Sequence, residues 1–255
     1  MSNKSALDAL VRGPQSYFSV TLPEGYAARR YAGIFQKKLG LDSLNFMQLI
    51  SDTNFIQKLG WEDPSLEGYL YPETYHFTYG VTEKQVIRTL VQQFRSTVPD
   101  SFWVAAEEQG MTRRDAVTLA SIIEGEAMLD REMPLIASVY HNRLERDMRL
   151  QADPTIQYII PESPRRLLNR DLKIDSPYNT YLYAGLPPGP INNPAVNAIR
   201  AAVYPAETSF LYFVADGKGG HTFSRTLTQH LNAKRKFDRI RREHRRKELN
   251  AQREE

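Results

Sequence analysis

The 255-residue chain predicts an α+β fold, with a small N-terminal lobe (residues 1–60), a larger mixed domain (61–237) and a basic helical tail (238–255). Three observations predict it. Alternating segments at Tyr17–Leu22 and at Phe210–Ser224 read as strands near opposite ends of the chain. Between them, several stretches carry apolar residues at helical spacing. The chain is also long enough for a sizeable core, with 41% hydrophobic and 25% charged residues, ordinary values for a globular protein.

In chain order, residues 4–12 read as a short amphipathic helix capped by Ser5 and ended by Gly13-Pro14. Tyr17–Leu22 is a strand closed by the turn Pro23-Glu24-Gly25. A helix with Tyr31, Ile34, Phe35 and Leu39 inside follows, then one with Phe46, Leu49 and Ile50. The segment from Leu66 to Phe77 is aromatic, and Pro72 restricts it to an edge strand or a loop. Its tyrosines suit an exposed groove for sugar rings, whose C–H faces pack on aromatic faces, and suit a protein core equally well. Residues 83–98 form an amphipathic helix with Val86, Leu90 and Phe94 inside.

The most informative run is Leu119-Ala-Ser-Ile-Ile-Glu-Gly-Glu-Ala127. Read as a helix from 113 to 127, it places Leu119, Ile122 and Ile123 on one apolar stripe, edged by Ala116 and Ala120. Glu126, three residues after Ile123 and seven after Leu119, projects from the middle of that stripe, whereas Glu124 points to nearly the opposite, solvated side. A carboxyl aimed into apolar surroundings loses hydration, its pKa rises, and it can still donate a proton near neutral pH. Geometry alone leaves a second reading open. Gly125 could end the helix early, leaving Glu126 at a frayed end paired with Arg131 or Arg143.

Residues 156–175 are a polar, proline-broken excursion of the kind that borders sites. From Gly185 to Pro194, four further prolines and two glycines exclude regular structure and predict a rigid loop, preceded by Tyr178, Asn179 and Thr180 with amide and hydroxyl groups in fixed positions. Ala195–Val203 is a helix, and Phe210–Ala215 with His221–Ser224 form a hairpin across Asp216-Gly-Lys-Gly-Gly220. The rest is a basic helix. Residues 233–255 hold ten Lys/Arg against five Asp/Glu, so the tail carries +5 and the remainder −2. Its charges alternate with acids and it holds a single aromatic, Phe237, which favours a solvated face over nucleic-acid binding and leaves attraction to other anionic polymers or to membrane headgroups open.

Several chemistries are excluded. There is no cysteine for a disulfide, thiolate metal site or nucleophile. No apolar run of 18 or more residues reads as a membrane span, and no signal peptide is visible at the start. The histidines lack metal-ligand spacing, the glycine turn lacks the phosphate-loop pattern, and no G-x-S-x-G elbow occurs. Neither metal nor cofactor is expected.

Four motifs carry a resemblance to the YceG-like endolytic murein transglycosylases. They are Ala120–Ala127, Ala137–Leu144 with Leu150–Thr155, Ser176–Pro194, and Leu211–Ser224, supported by the Leu66–Tyr75 segment and the turn at Pro23. The resemblance spans roughly residues 15–237. It implies that Glu126 is the catalytic acid, that Asn142, Gln151, Asp153, Thr155, Tyr178, Asn179 and Thr180 bind substrate, and that residues 1–60 are part of a LysM-like lobe. One departure is Ala127, where the family's usual residue bears a hydroxyl, so any help in orienting the acid must come from elsewhere.

The same resemblance implies peptidoglycan glycan strands as substrate and peptidoglycan synthases as partners. It places the protein in the cell envelope, at the outer face of the cytoplasmic membrane. The family's membrane-spanning helix and the first part of the lobe, which would precede residue 1, are absent from this sequence. The implied reaction is non-hydrolytic. Glu126 protonates the glycosidic oxygen between N-acetylmuramic acid and N-acetylglucosamine, then takes the proton of the muramoyl 6-hydroxyl as that oxygen closes on C1. The alternatives are a non-catalytic wall-binding or scaffold protein, and a hydrolytic muramidase with Asp153 as second carboxylate.

Overall fold

The computed structural model describes residues 17–161 and 164–254, so the expected helix at 4–12 lies outside the described residues. Strand β1 (Tyr17–Thr21) pairs antiparallel with β2 (Thr74–Thr78), Tyr17 opposite Thr78 and Thr21 opposite Thr74. The lobe read at the N-terminus thus takes its second strand from beyond residue 60, and Pro72 stands just outside that strand.

Three helices fill the connection: α1 (Ala28–Leu39), α2 (Ser43–Leu49) and α3 (Thr53–Lys58). Helix α1 buries Tyr31, Ala32 and Phe35, and ends on Gly40, whose φ of 71° is readily reached only by glycine. Asp42 and Asp52 each accept hydrogen bonds from two first-turn amides, starting α2 and α3. Helix α3, six residues long, is too short to show a period in sequence.

The tyrosines of the 66–77 segment do not line a groove. Tyr69, Tyr71 and Tyr75 are buried; Tyr69 packs 4.4 Å from Trp61 and 5.2 Å from Phe94, and Tyr75 Oη donates to the Tyr71 carbonyl at 2.7 Å. They are core side chains whose rings close the space beneath α4 (Glu83–Thr97).

Helices α5 (Ser101–Glu108) and α6 (Arg113–Glu126) follow, then α7 (Met133–Leu144), α8 (Asp153–Ile159) and α9 (Val196–Val203). Helix α6 is the axis of the molecule. Thr112 and Asp115 form a capping box at its start, and every residue from Ala116 to Ile123 is buried, packed by α5, α7, α8 and above all α9. A helix stretch buried on all sides leaves no solvent face between Ala116 and Ile123, and the solvated side expected for Glu124 is only partly open.

The proline-rich loop before α9 ties this axis to the segment around Glu67–Leu70 and to Tyr26. The Ile191 amide donates to Ser121 Oγ at 3.0 Å, while Asn193 Oδ1 accepts from the amides of Gly68 and Leu70 and its Nδ2 donates to Glu67 and to the Tyr26 carbonyl. At the C-terminal end β3 (Tyr212–Ala215) and β4 (His221–Ser224) pair antiparallel, and α10 (Leu227–Glu254) packs against them. No helix among the described residues is long and apolar enough to cross a membrane.

Candidate active site

Helix α6 runs through Gly125 to Glu126, and the Ala127 amide still donates to the Ile123 carbonyl at 2.9 Å, so the expected inward projection of Glu126 is realised. Gly125 has a specific reason to be glycine. A Cβ there would stand 2.7 Å from Pro154 Cβ, so its absence lets the end of α6 lie directly on the start of α8 and brings Glu126 against Asp153.

The Glu126 carboxyl accepts a hydrogen bond from Tyr140 Oη at 3.1 Å. Tyr140 is buried on α7 and packs edge-on against Phe213. Burial raises the Glu126 pKa to about 7, and the neighbouring charge of Asp153 pushes it the same way. The Tyr140 hydrogen bond, the Asp153 amide and the Arg143 guanidinium pull in the opposite direction without prevailing. Neither Arg131 nor Arg143 is ion-paired to Glu126 among the described residues. Arg143 is buried and spent on backbone carbonyls, with Nε donating to Leu211 and Nη1 to Leu150, both at 2.7 Å.

Two cavities meet at Glu126 and Asp153. The first, about 320 Å³, is walled by Gly25 and by Arg29 and Arg30 of α1 on one side and by Gln157, Tyr158 and Asn192 on the other. Asn192 Nδ2 donates to the Ser121 carbonyl at 2.8 Å, while its Oδ1 is buried without a partner among the described residues. The second, about 490 Å³, is walled by Tyr140, Gln151 and Tyr181 and by the hairpin and α10. A carboxyl group that keeps its proton near neutrality therefore sits where two open cavities join, with polar groups on both sides. Among the described residues no group of three acidic or histidine side chains could hold a metal ion.

The sequence matches the model of the YceG-like family over residues 1–236. The chain belongs to the YceG-like family. An endolytic murein transglycosylase of Bacillus subtilis (strain 168) is 34% identical over 91% of this chain and 69% of its own length. One of Streptococcus pneumoniae (serotype 2, strain D39) is 29% identical over 92% of this chain, which spans about half (49%) of that relative. The crystal structure of a YceG-like protein from Listeria monocytogenes superposes with a TM-score of 0.76 at 33% identity, covering 91% of this chain and 81% of the other. The mixed helix-and-strand architecture agrees with the α+β class expected from sequence.

Within this YceG-like fold the motif residues divide into two groups. Gln151 and Asp153 line the cavities; Gln151 holds a left-handed φ of 49°, unusual for a non-glycine, and Tyr181 Oη donates to Asp153 Oδ1 at 2.5 Å. The side chains of the others line neither cavity and contact neighbouring groups of the protein. Asn179 is fully buried, its Nδ2 donating to the carbonyls of Leu172 and Ile174 and its Oδ1 accepting from the Tyr181 amide. Thr155 and Thr180 are buried against each other at 3.0 Å, and Thr180 Oγ1 also accepts from the Ala152 amide. Asn142 Nδ2 donates to the carbonyls of Thr208 and Phe210, both at 2.9 Å. Tyr178 is half-buried, its ring 5.0 Å from Tyr158, which does line the first cavity. A short polar side chain in an irregular loop satisfies backbone groups first, because that loop has no ladder of its own.

Glu124 also departs from expectation. It is half-buried, burial raises its pKa to about 7, and its Oε2 accepts from the Ala195 amide at 3.1 Å, at the N-terminal end of α9 where partial positive charge gathers. Sequence reasoning did not reach Tyr140, Tyr181 or Asn192. Each touches the site through a contact between separate elements, which no local period reports.

Proposed function

We propose that this chain is an endolytic peptidoglycan lytic transglycosylase with Glu126 as its acid and then its base. The observation that carries the reading is a carboxyl whose pKa desolvation raises to about 7, set at the junction of two open cavities. A glycan strand continuing on both sides of the scissile bond needs such a through-going groove, and an acid near neutrality can serve both proton transfers. Protonated Glu126 gives its proton to the glycosidic oxygen as the C1–O bond breaks. The carboxylate then takes the muramoyl 6-hydroxyl proton as O6 bonds to C1, leaving a 1,6-anhydro end, consuming no water and restoring the acid. The intramolecular nucleophile gains from high effective molarity, which replaces a second carboxylate.

In this reading the Asp153 charge helps to keep Glu126 protonated, and Gln151 and Asp153 contact the strand. Asn142, Thr155, Tyr178, Asn179 and Thr180 hold the walls. The N-terminal lobe, LysM-like by resemblance, supplies one side of the first cavity through Arg29 and Arg30. A cell-envelope location follows from the substrate. The outer face of the cytoplasmic membrane and peptidoglycan synthases as partners belong to the same proposal. Digestion of purified sacculi followed by mass spectrometry tests it. Anhydro ends support the transglycosylase, reducing ends one water heavier support a muramidase using Asp153, and uncut strands support a wall-binding protein.

A further inference from the structure

The second cavity has a wall that the reaction above leaves unused, formed by the hairpin and α10 opposite Glu126. Two histidines stand in it. The His221 side chain is only 7% exposed, and its Nδ1 donates to Glu132 Oε2 at 2.7 Å while its backbone amide donates to Glu132 Oε1 at 3.1 Å. Glu132 therefore grips the residue at two points and holds the ring's proton on Nδ1. Nε2 has no hydrogen-bond partner among the described residues, although the ring lines the cavity. His230, one turn into α10, lies against Tyr212 with ring centroids 5.3 Å apart and planes 28° from parallel, and its Nδ1 is buried without a partner among the described residues.

A buried nitrogen with no partner is a group that a ligand can satisfy, and ordered proteins leave few of them. Phe213 lines the same cavity, edge-on to Tyr140 and to His221, and adds an apolar surface. An aromatic face beside two imidazoles with free ring nitrogens matches a pyranose ring, which presents C–H bonds on its faces and hydroxyl and acetamido groups at its rim.

We propose that this cavity is a sugar-binding subsite on one side of the scissile bond, with His221 and His230 contacting the sugar's polar rim and Glu132 as the positioning residue of His221. The proposal rests on the glycan-strand reading above and names the groups that recognise the strand there.

The test uses the whole chain and three variants. His221→Asn keeps a donor for Glu132 and removes Nε2; His230→Phe keeps the contact with Tyr212 and removes the nitrogen; Glu132→Gln loosens His221. On sacculi, each histidine variant is expected to raise KM about tenfold, the size of one well-placed hydrogen bond, with kcat little changed. Glu132→Gln is expected to raise KM less and to change the nitrogen NMR signature of the His221 tautomer. In Glu126→Gln, added N-acetylglucosamine tetrasaccharide should shift the resonances of His221 Nε2 and His230 Nδ1. Anhydro products with unchanged KM in both folded histidine variants would overturn the subsite. Shifts of those nitrogens in Glu126→Gln, together with an unaltered chain that releases no anhydro product from sacculi, would instead uphold the subsite and overturn the reaction. If His221→Asn fails to fold, His230→Phe and the resonance shifts decide alone, and their absence counts against the proposal.

Discussion

Tyr140 Oη donates to Glu126 Oε1 at 3.1 Å, joining the end of α6 to the middle of α7. The contact supplies what the side chain at Ala127 cannot, a hydroxyl that orients the acid. It also favours the ionised form, and so moderates a pKa that burial has raised. Tyr140→Phe should lower kcat by about tenfold, the usual loss for a hydrogen bond to a charged group, and should move the alkaline limb of kcat/KM to higher pH. A pH–rate profile of the variant on sacculi checks both effects. An unmoved limb with unchanged kcat would remove Tyr140 from the site.

Glu126→Gln should abolish release of anhydro ends while the protein stays folded, because the amide is isosteric and has no labile proton. Glu124→Gln should keep most activity, since a neutral amide oxygen can still accept from the Ala195 amide. Parallel product assays and melting curves separate the two. Reversed results would transfer the acid's role to Glu124, whose pKa is also raised to about 7.

The pH dependence has a definite sign. With a pKa raised to about 7, Glu126 loses its proton as pH rises through that value, so kcat/KM should fall on the alkaline side. The negative charge of Asp153 is part of what raises it. Removing the charge in Asp153→Asn should therefore lower the pKa and move the alkaline limb to lower pH. An acid limb that vanishes in Asp153→Asn, with the folded fraction constant, would mean that Asp153 must be ionised, and would favour the hydrolytic mechanism.

Asn179 makes three hydrogen bonds from a fully buried position. Asn179→Ala should thus destabilise the protein by about 2–3 kcal/mol through unsatisfied carbonyls and amide. Denaturant unfolding would measure this. A normal melting profile with activity lost would return Asn179 to a role in substrate binding.

Glu67 is buried, accepts from the Ala28 amide and Asn193 Nδ2, and has its pKa raised to about 7 by burial. The folded protein holds this proton between pH 4.5, the ordinary value, and about 7, whereas the unfolded chain has released it. The stability it confers is complete below the lower value and is lost as pH rises through the upper one. Glu67→Gln should flatten that decline and raise Tm by a few degrees at pH 8. Melting curves from pH 4 to 8 would reveal no difference in slope if the group does not titrate in this window.

The sequence by itself determined the elements that repeat a local pattern. The stripe through Leu119, Ile122 and Ile123 placed Glu126 inward, the aromatic strands around the Asp216–Gly220 turn made the hairpin, and helical spacing marked the inward faces of α1, α2 and α4. These are legible because side-chain direction follows the backbone period. The tertiary structure alone decided the rest. It half-buried Glu124 against the start of α9, turned Asn179 and Thr180 away from the cleft, drew Tyr69, Tyr71 and Tyr75 into the core, and set Tyr140 against the acid. None of these has a period to read. In an irregular loop a polar side chain goes where backbone groups need partners, and a buried helix end takes its environment from elements that fold against it from far along the chain.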